Sequence, residues 1–428
     1  MSSEWQKTLI RYCCDINSSN IKANGPSQYI KYIDISSIGE GCQKEAFKSI
    51  LRVEAPSRAQ RLIASGDCII STVRPNRRSM IWIKNAVDNL VASTGFAVLR
   101  AKTSVILPRF LYYNLFSQSF TDYLVTREKG AAYPAVSTTD IVDAEIYLPP
   151  LPEQQTIIDL LGSLDDRIAL LRETNATLES IAQAIFKSWF IDFDPVKAKQ
   201  AGREPEGMDA ATAALFPDSF EESELGLIPK GWEVSPLDEI AVFLNGLALQ
   251  KYPPNGDDDL PVIKIAQLRK GDSLGADRAS REIKPEYIVR DGDVLFSWSG
   301  SLEVAIWCGG DGALNQHLFK VTSVEFPKWF YYFWTKQHLS DFQRIAASKA
   351  TTMGHIQRHH LSNAKVVVPP SKVLLGIDGF MSPLLNMWIT NSLRVKSLTL
   401  TRDTLLPRLI SGKLRLPEAE EILKEATA

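Results

Sequence analysis

The sequence predicts an α+β protein in which two mixed α/β domains are joined by two long helices. One architecture occurs twice, because the segment PRFLYY at 108–113 recurs about 220 residues later as PKWFYY at 327–332, and the Pro-Pro pair at 149–150 recurs at 369–370. A long helical pattern follows each Pro-Pro pair. A duplicated chain behaves as a pseudo-dimer with an approximate two-fold axis, which suits reading two half-sites on a long polymer.

The chain is long enough to build several hydrophobic cores, with 428 residues of which 45% are hydrophobic. We predict a first domain over 1–150, a first long helix over 151–191 and a linker over 192–230. A second domain then covers 231–370, a second long helix 371–414, and a C-terminal tail 415–428.

Charge is distributed unevenly along the chain, although the net charge is only −2. Residues 1–150 contain 18 Lys and Arg against 13 Asp and Glu, whereas residues 151–230 contain 7 against 15. The low net charge disfavours a protein that binds nucleic acid over its whole surface. The globular parts are nevertheless more basic than the chain as a whole. The five cysteines show no metal-binding spacing and predict reduced thiols in the cytoplasm. We find no signal peptide or stretch of about 18 apolar residues, so no membrane span is expected.

Each domain is predicted to contain several short strands, because β-branched and aromatic runs alternate with turn residues. In the first domain these runs lie at 32–35, 68–73, 80–83 and 96–99. In the second they lie at 262–265, 294–297 and 318–321. Short helices are predicted at 110–117 and 329–335, each just after a proline. The aromatic residues of these helices recur with helical spacing, which favours core packing over a platform for stacked bases.

The two long helices show heptad spacing, with steps that alternate between four and three residues. Each copy has ten seam positions, which is strong evidence for a coiled coil. The first seam comprises Ile157, Leu161, Leu164, Ile168, Leu171, Asn175, Leu178, Ala182, Ile185 and Trp189. The second comprises Ile377, Met381, Leu384, Trp388, Asn391, Val395, Leu398, Arg402, Leu405 and Leu409.

The polar seam residues Asn175 and Asn391 predict that the helices pack antiparallel. With these two residues opposite each other, the two patterns overlap end to end and the amides satisfy each other by hydrogen bonding. In the parallel register Asn175 would face Val395, and an unpaired buried amide costs about 1–3 kcal/mol. The alternative is that each helix packs only on its own domain.

Four segments of the chain resemble the DNA-specificity subunit of type I restriction–modification systems. They are LPPLPEQQ at 148–155, AIFKSWFIDFDP at 184–195, GLIPKGW at 226–232 and LLPRLISG at 405–412. The two-part layout of that family covers nearly the whole chain. The second helix departs from the pattern because it begins with PSK at 370–372 and lacks the Glu-Gln-Gln run. The first half keeps only Trp5 where the second has Trp232.

The resemblance implies two target-recognition domains, each reading one half of a bipartite, asymmetric DNA sequence. It implies that the helices act as a ruler for the unread spacer and as the dock for two methyltransferase subunits. Those subunits use S-adenosylmethionine to methylate adenine N6, and a separate motor-nuclease subunit uses ATP and Mg. On this interpretation the chain itself needs no cofactor or metal and has no catalytic residue.

Sequence motifs for catalysis agree with a non-catalytic chain. An adenine methyltransferase needs Asn or Asp before a Pro-Pro pair and an aromatic residue after it, and the pairs at 149–150, 253–254 and 369–370 lack this context. No GxxxxGK[ST] motif for an ATP-driven motor is present. Two alternatives stay open at this point: a stand-alone modification or cleavage enzyme, and a coiled-coil scaffold that binds only proteins.

Two loops of the first domain provide candidate DNA contacts. Arg74, Arg77 and Arg78 lie in a turn between strands, where guanidinium groups could hold phosphates or read guanine. Lys129, Tyr133 and Ser137 lie in the loop before the last strand, where the resemblance also places DNA-facing residues. A solvated hairpin tip and an ordinary connecting loop are the alternatives.

The matching loops of the second domain carry hydroxyl, amide and imidazole groups instead of arginines. This difference fits two domains with different targets, and Asn and Gln can read adenine; a buried polar turn is the alternative for the Asn-Gln-His segment. A metal site formed by the histidines at 355, 359 and 360 is disfavoured, because no Cys or carboxylate spacing accompanies them. The candidates are Ser297, Ser299, Asn315, Gln316, His317, Lys349, Thr351, Thr352 and His355.

Overall fold

The computed structural model describes residues 5–21, 28–348 and 354–427, and the chain divides into two compact units. Unit 1 consists of residues 1–169 together with 396–428, and unit 2 consists of residues 170–395. These units differ from the linear domains expected from the sequence, because each one contains a stretch of both long helices.

Unit 1 contains a four-stranded antiparallel sheet, a four-stranded mixed sheet and a two-stranded sheet. Its strands are β1 (Gln6–Leu9), β2 (Cys14–Ile16), β3 (Tyr29–Ile33), β4 (Lys48–Leu51), β5 (Ala59–Leu62), β6 (Cys68–Ser71), β7 (Met80–Trp82), β8 (Leu90–Ser93), β9 (Phe96–Ala101) and β10 (Glu145–Leu148). Its helices are α1 (Ile10–Cys13), α2 (Pro108–Phe116), α3 (Gln118–Val125), α4 (Thr138–Val142), the beginning of α5 (Leu151–Phe186), the end of α13 (Ser371–Ile410) and α14 (Leu416–Thr427).

Unit 2 repeats these three sheets and adds a hairpin. Its strands are β11 (Phe220–Ser223), β12 (Gly226–Pro229), β13 (Glu233–Pro236), β14 (Val242–Asn245), β15 (Leu260–Ile263), β16 (Arg278–Ala279), β17 (Ile288–Val289), β18 (Val294–Ser297), β19 (Glu303–Ile306), β20 (Gly312–Leu314), β21 (Leu318–Thr322) and β22 (Lys365–Val368). Its helices are the end of α5, α6 (Asp194–Gln200), α7 (Ala210–Ala213), α8 (Leu237–Ile240), α9 (Ile265–Lys270), α10 (Lys328–Gln337), α11 (Leu339–Ser348), α12 (Arg358–Asn363) and most of α13 (Ser371–Ile410).

The strand orders of the two units correspond one to one, which confirms the duplication expected from the sequence. The antiparallel sheet has the order β2-β9-β6-β7 in unit 1 and β14-β21-β18-β19 in unit 2. The mixed sheet has the order β4-β3-β8-β5 in unit 1 and β16-β15-β20-β17 in unit 2. In both mixed sheets the central pair of strands is parallel, as β3 with β8 and β15 with β20.

The recurring aromatic helices α2 and α10 lie in the cores, as their helical spacing predicts. In α2, Phe110 and Tyr113 are completely buried, and in α10 Trp329 and Phe330 are completely buried. These side chains pack under the antiparallel sheets and against the long helices; for example, the Trp329 indole donates to Asp378 of α13 over 2.8 Å. Burial of such large rings contributes about 1.5–3 kcal/mol each.

Residues 192–230, which the sequence predicted as a polar linker, contain secondary structure of their own. This segment contains α6, α7 and the β11–β12 hairpin, and it is anchored in the core of unit 2 by Val196 and Phe216. The Phe216 ring lies 6.2 Å from the ring of Trp232. A few apolar anchors within a polar segment are sufficient to fold it, because each buries as much surface as a core residue. The C-terminal tail likewise contains a helix, α14 (Leu416–Thr427).

The long helices α5 and α13 are antiparallel within each unit. In unit 1, Asp165 of α5 meets Arg402 of α13, and Ile157 lies with Leu409 in the wall of the same cleft. In unit 2, Asn175 of α5 contacts Trp388 and Ser392 of α13, and Ala182 lies with Leu384 and Leu385 in the wall of one cleft. Partner numbers in α13 therefore fall as residue numbers in α5 rise, and the expected antiparallel orientation is confirmed. After Phe186, α5 continues as one π-helical turn over Lys187–Ile191.

The proposed hydrogen bond between Asn175 and Asn391 is wrong. The Asn175 amide nitrogen donates to the carbonyl oxygen of Trp388 over 3.0 Å and to Oγ of Ser392 over 2.9 Å, while its Oδ1 is buried without a partner. Asn391 is buried beside this contact, with 7% of its surface exposed. Seam spacing places Asn175 at the contact between the helices but does not determine which group of α13 lies within hydrogen-bonding distance.

By length and composition alone, α13 could cross a membrane, since an 18-residue window reaches a mean hydropathy of 1.3. This helix therefore departs from the expectation that the chain has no stretch long and apolar enough to span a membrane. Its seam residues Ile377, Met381 and Leu405 are nonetheless completely buried within their units, as expected for one helix of a coiled coil.

Candidate nucleic-acid interface

The two candidate loops of unit 1 are joined by backbone hydrogen bonds where β6 ends. The backbone amide of Val136 donates to the carbonyl oxygen of Thr72 over 2.9 Å. The backbone amide of Arg74 donates to the carbonyl oxygen of Pro134 over 2.7 Å. Val73 and Ala135 form an antiparallel bridge between these bonds. We call residues 72–78 and 129–136 the paired-loop edge of unit 1.

Tyr133 lies in a small hairpin within this edge. Lys129 and Ala135 exchange both backbone hydrogen bonds over 2.9 Å, and Gly130 takes a φ of 92°, a conformation that side chains disfavour. The Tyr133 ring is 74% exposed, and the guanidinium carbon of Arg74 lies 5.4 Å from its centroid. An exposed aromatic ring beside a guanidinium group and the exposed Lys129 ammonium forms a surface suited to phosphates and base edges.

The three arginines of the turn have different environments. Arg77 is exposed, and Arg74 is half-buried in a left-handed conformation with a φ of 50°. Arg78 instead donates to Gln118 over 2.6 Å, forms an ion pair with Glu40 over 3.1 Å and leaves only 16% of its side chain exposed. Its guanidinium group therefore holds the turn against the rest of unit 1, and we remove Arg78 from the candidate contacts.

Ser137 is also used by the fold. Its side chain accepts a hydrogen bond from the Asp140 amide over 3.1 Å, and the Asp140 carboxylate accepts one from the Ser137 amide over 2.8 Å, which makes a capping box at the start of α4. The hydrogen bond from the Ser137 hydroxyl lowers the pKa of Asp140. Ser137 thus orders the helix after the edge rather than presenting a free hydroxyl.

Unit 2 contains the same pairing with different residues. The backbone amide of Ile356 donates to the carbonyl oxygen of Trp298 over 3.0 Å. The backbone amide of Gly300 donates to the carbonyl oxygen of Gly354 over 2.8 Å. Ser299 and His355 form the antiparallel bridge. We call residues 298–300, 315–317 and 354–356 the paired-loop edge of unit 2, since the segment at 315–317 is bonded to the first loop.

Three of the predicted contacts in unit 2 are buried in the turns that build this edge. Ser297 is completely buried, and its hydroxyl donates to the carbonyl oxygen of Ser301 over 2.7 Å. Ser299 is 3% exposed, and Asn315 is 4% exposed and accepts from the amide of His317 over 3.2 Å. The alternative of a buried polar turn therefore applies to Ser297, Ser299 and Asn315.

Gln316, His317 and His355 remain half-exposed at the edge. His317 Nδ1 lies 2.9 Å from Oγ of Ser299, and its Nε2 lies 3.4 Å from Nε2 of Gln316. The two ring nitrogens of His317 thus contact polar side chains on either side, which holds the imidazole in place at the edge. The remaining candidates Lys349, Thr351 and Thr352 lie outside the described residues.

Sequence reasoning missed two residues at this edge, Trp298 and Asn245. The Trp298 indole nitrogen donates to Oδ1 of Asn245 over 3.0 Å, and Asn245 is exposed at the end of β14. The two residues are 53 positions apart, so no local pattern links them. The only signal was the Asn-Gly pair at 245–246, which is typical of a turn.

The histidines near this edge have roles within the fold. His360 Nδ1 accepts from the amide of Gln357 over 2.8 Å at the start of α12, and its ring centroid lies 4.0 Å from that of His359. Within residues 5–21, 28–348 and 354–427, no three His, Cys, Asp or Glu side chains lie together as potential metal ligands.

Comparisons with known proteins identify the family. Residues 4–180 and 229–386 match the family described as type I restriction modification DNA specificity domain. The chain is 26% identical over 415 residues to the type I restriction enzyme HindI specificity subunit of Haemophilus influenzae, covering 84% of this chain and 89% of the relative. It is 25% identical to the MjaIX specificity subunit of Methanocaldococcus jannaschii, covering 84% and 80%. The crystal structure of the type I restriction-modification S subunit from M. genitalium has the same fold, with a TM-score of 0.54, 14% identity and coverage of 95% of this chain and 96% of that one. The chain therefore belongs to the type I restriction modification DNA specificity family.

Proposed function

We propose that this chain selects a bipartite, asymmetric DNA target for a type I restriction–modification enzyme, with each unit reading one half. The observation that carries the proposal is the paired-loop edge, which has the same backbone bonds in both units but different exposed side chains. Two units that bind different half-sites need the same backbone arrangement but different side chains at the positions that contact the bases.

The side chains of the two edges suit different parts of DNA. Unit 1 offers Arg74, Arg77 and Lys129, which can bind phosphates or the acceptor edge of guanine. Unit 2 offers amide and imidazole groups from Gln316, His317 and His355, which suit base edges more than phosphates. Two unlike edges in one chain would give an asymmetric target.

The chain is non-catalytic in this proposal and acts through partners. Two methyltransferase subunits dock on the long helices and use S-adenosylmethionine, and a motor-nuclease subunit adds ATP and Mg chemistry, all in the cytoplasm. Support comes from large apolar side chains left exposed along α5 and α13, which offer apolar surface for a protein partner. These are Leu170, Ile181, Leu375, Phe380, Met387 and Leu400.

Mapping of N6-methyladenine in the host genome, with and without this gene, tests the proposal. We expect a single motif of two short specific parts separated by a fixed spacer, and loss of methylation at that motif on deletion. Purified assembled complex should then bind the mapped duplex far more tightly than a scrambled one at the same salt concentration. Unchanged methylation on deletion, or binding without sequence preference as for a protein scaffold, would refute it.

A further inference from the structure

The amide of Asn245 is held in one orientation at the paired-loop edge of unit 2. Its Oδ1 accepts from the indole nitrogen of Trp298 over 3.0 Å. An indole N–H only donates, so the atom that faces it must be the amide oxygen and not the amide nitrogen. The Nδ2 group of this exposed side chain is therefore directed away from Trp298.

Trp298 is a fixed support for this amide. Its ring lies 5.9 Å from Phe319 and 6.1 Å from His317 between ring centroids. Its backbone carbonyl accepts from Ile356 over 3.0 Å. A ring packed on two sides and tied at its backbone loses little further freedom on binding, which favours a precise contact.

Close backbone packing brings the end of β14 beside Gln316. The backbone amide of Gln316 donates to the carbonyl oxygen of Leu247 over 2.9 Å. A Cβ atom on Gly246 would lie only 2.2 Å from the carbonyl oxygen of Asn315, so only glycine permits this approach. Asn245 is thus a further exposed polar group of the same edge as Gln316 and His317.

We propose that Asn245 reads an adenine of the unit 2 half-site other than the methylated one. Its Nδ2 would donate to adenine N7, and the second lone pair of Oδ1 would accept from the N6 amino group, while Trp298 occupies the first. Guanine would place its O6 acceptor against Oδ1 and is disfavoured. This inference rests on the proposed function, because it requires that unit 2 contact DNA.

The test changes one hydrogen-bonding group on the DNA and its proposed partner on the protein. Once the methylated motif is mapped, duplexes carry 7-deazaadenine, which lacks the N7 acceptor, at each non-methylated adenine of either strand in turn. The wild-type assembled complex should lose about ten-fold in affinity at one of these adenines. Asn245→Asp keeps an acceptor for Trp298 but cannot donate to N7. It should bind ordinary DNA at least about ten-fold more weakly and show no further loss on the modified duplex.

The matched control is Asn363→Asp, which changes an exposed amide at the end of α12. It should keep wild-type affinity and wild-type sensitivity to 7-deazaadenine. If the Asn245→Asp complex does not assemble, Asn245→Ser provides a smaller acceptor for the same measurement. The inference fails if the Asn245 variant binds like wild type, if the two losses add, or if no single adenine is sensitive. Failure of the wild-type complex to prefer the mapped duplex would instead refute the proposed function.

Discussion

Substitution of Asp165 by Asn should destabilise unit 1, because this carboxylate is shared by three partners between α2, α5 and α13. It accepts from Nη1 of Arg402 over 3.0 Å and from the Tyr113 hydroxyl over 2.8 Å, and Arg109 lies 3.7 Å away. Only 21% of the Asp165 side chain and 13% of the Arg402 side chain are exposed. Burial lowers the pKa of Arg402, but the charges of Asp403 and Asp165 outweigh it and raise that pKa overall.

The expected magnitude follows from these contacts. Removing one partner of a fully buried ion pair costs about 3–5 kcal/mol. The cost is reduced here, because Arg402 keeps Asp403 at 2.8 Å and Arg109 keeps Asp166 at 3.0 Å. Loss of one charged hydrogen bond from a mostly buried site leads us to expect a decrease of about 2–3 kcal/mol in the free energy of unfolding.

Urea denaturation followed by far-UV circular dichroism measures this change, with the adjacent Asp166→Asn as control. The Asp166 side chain is 64% exposed, so its substitution should cost about 0.5 kcal/mol or less. Combining Asp165→Asn with Arg402→Met should cost less than the sum of the single changes by about 1 kcal/mol. Equal effects of the two neighbouring Asp substitutions, or additive effects in the pair, would refute the reasoning.

The paired-loop edges and the half-buried imidazole of His338 give three further predictions. Arg77→Ala should weaken DNA binding by the assembled complex about three- to ten-fold without changing its melting temperature, whereas Arg78→Ala should lower the melting temperature; the opposite pattern in thermal shift and binding assays would contradict our assignment. Gly246→Ala should reduce stability and selective binding, while Gly256→Ala, whose Cβ would meet nothing within 4 Å, should change neither. Burial lowers the pKa of His338 below its ordinary 6.5, so the folded chain binds fewer protons than the unfolded chain. Stability should therefore be lost as the pH falls from 6.5 towards the lower pKa of the folded chain, and substituting His338 by Gln should flatten urea unfolding free energies measured between pH 7 and 5.5.

Much of the architecture was predictable from the sequence, because it depends on repeated local patterns. Heptad spacing predicted α5 and α13 and their antiparallel packing, and the repeated segments predicted matching domains. The position of the two candidate loops in each domain followed from strand ends and turn residues. Their direct pairing did not, since it depends on hydrogen bonds between segments about 60 residues apart, such as that from Val136 to Thr72.

The roles of individual side chains were less predictable than the loops that carry them. Arg77 and Arg78 are chemically identical neighbours, yet only Arg78 finds Gln118 and Glu40 within reach. The sequence suggested an exposed hydroxyl at Ser297, but this residue is completely buried at the end of a strand. Such differences are set by tertiary contacts that no local spacing encodes.

The composition of unit 1 has a consequence for how the protein is made. Unit 1 is complete only once residues 396–428 have been synthesised after unit 2, whereas unit 2 is a continuous stretch that can fold while synthesis continues. Until Arg402 emerges, Asp165 lacks its partner in α13 and the apolar seam around Ile157 stays uncovered. A premature stop just before α13 completes would therefore leave unit 1 without part of its own structure, although the mutation lies beyond the last residue of unit 2.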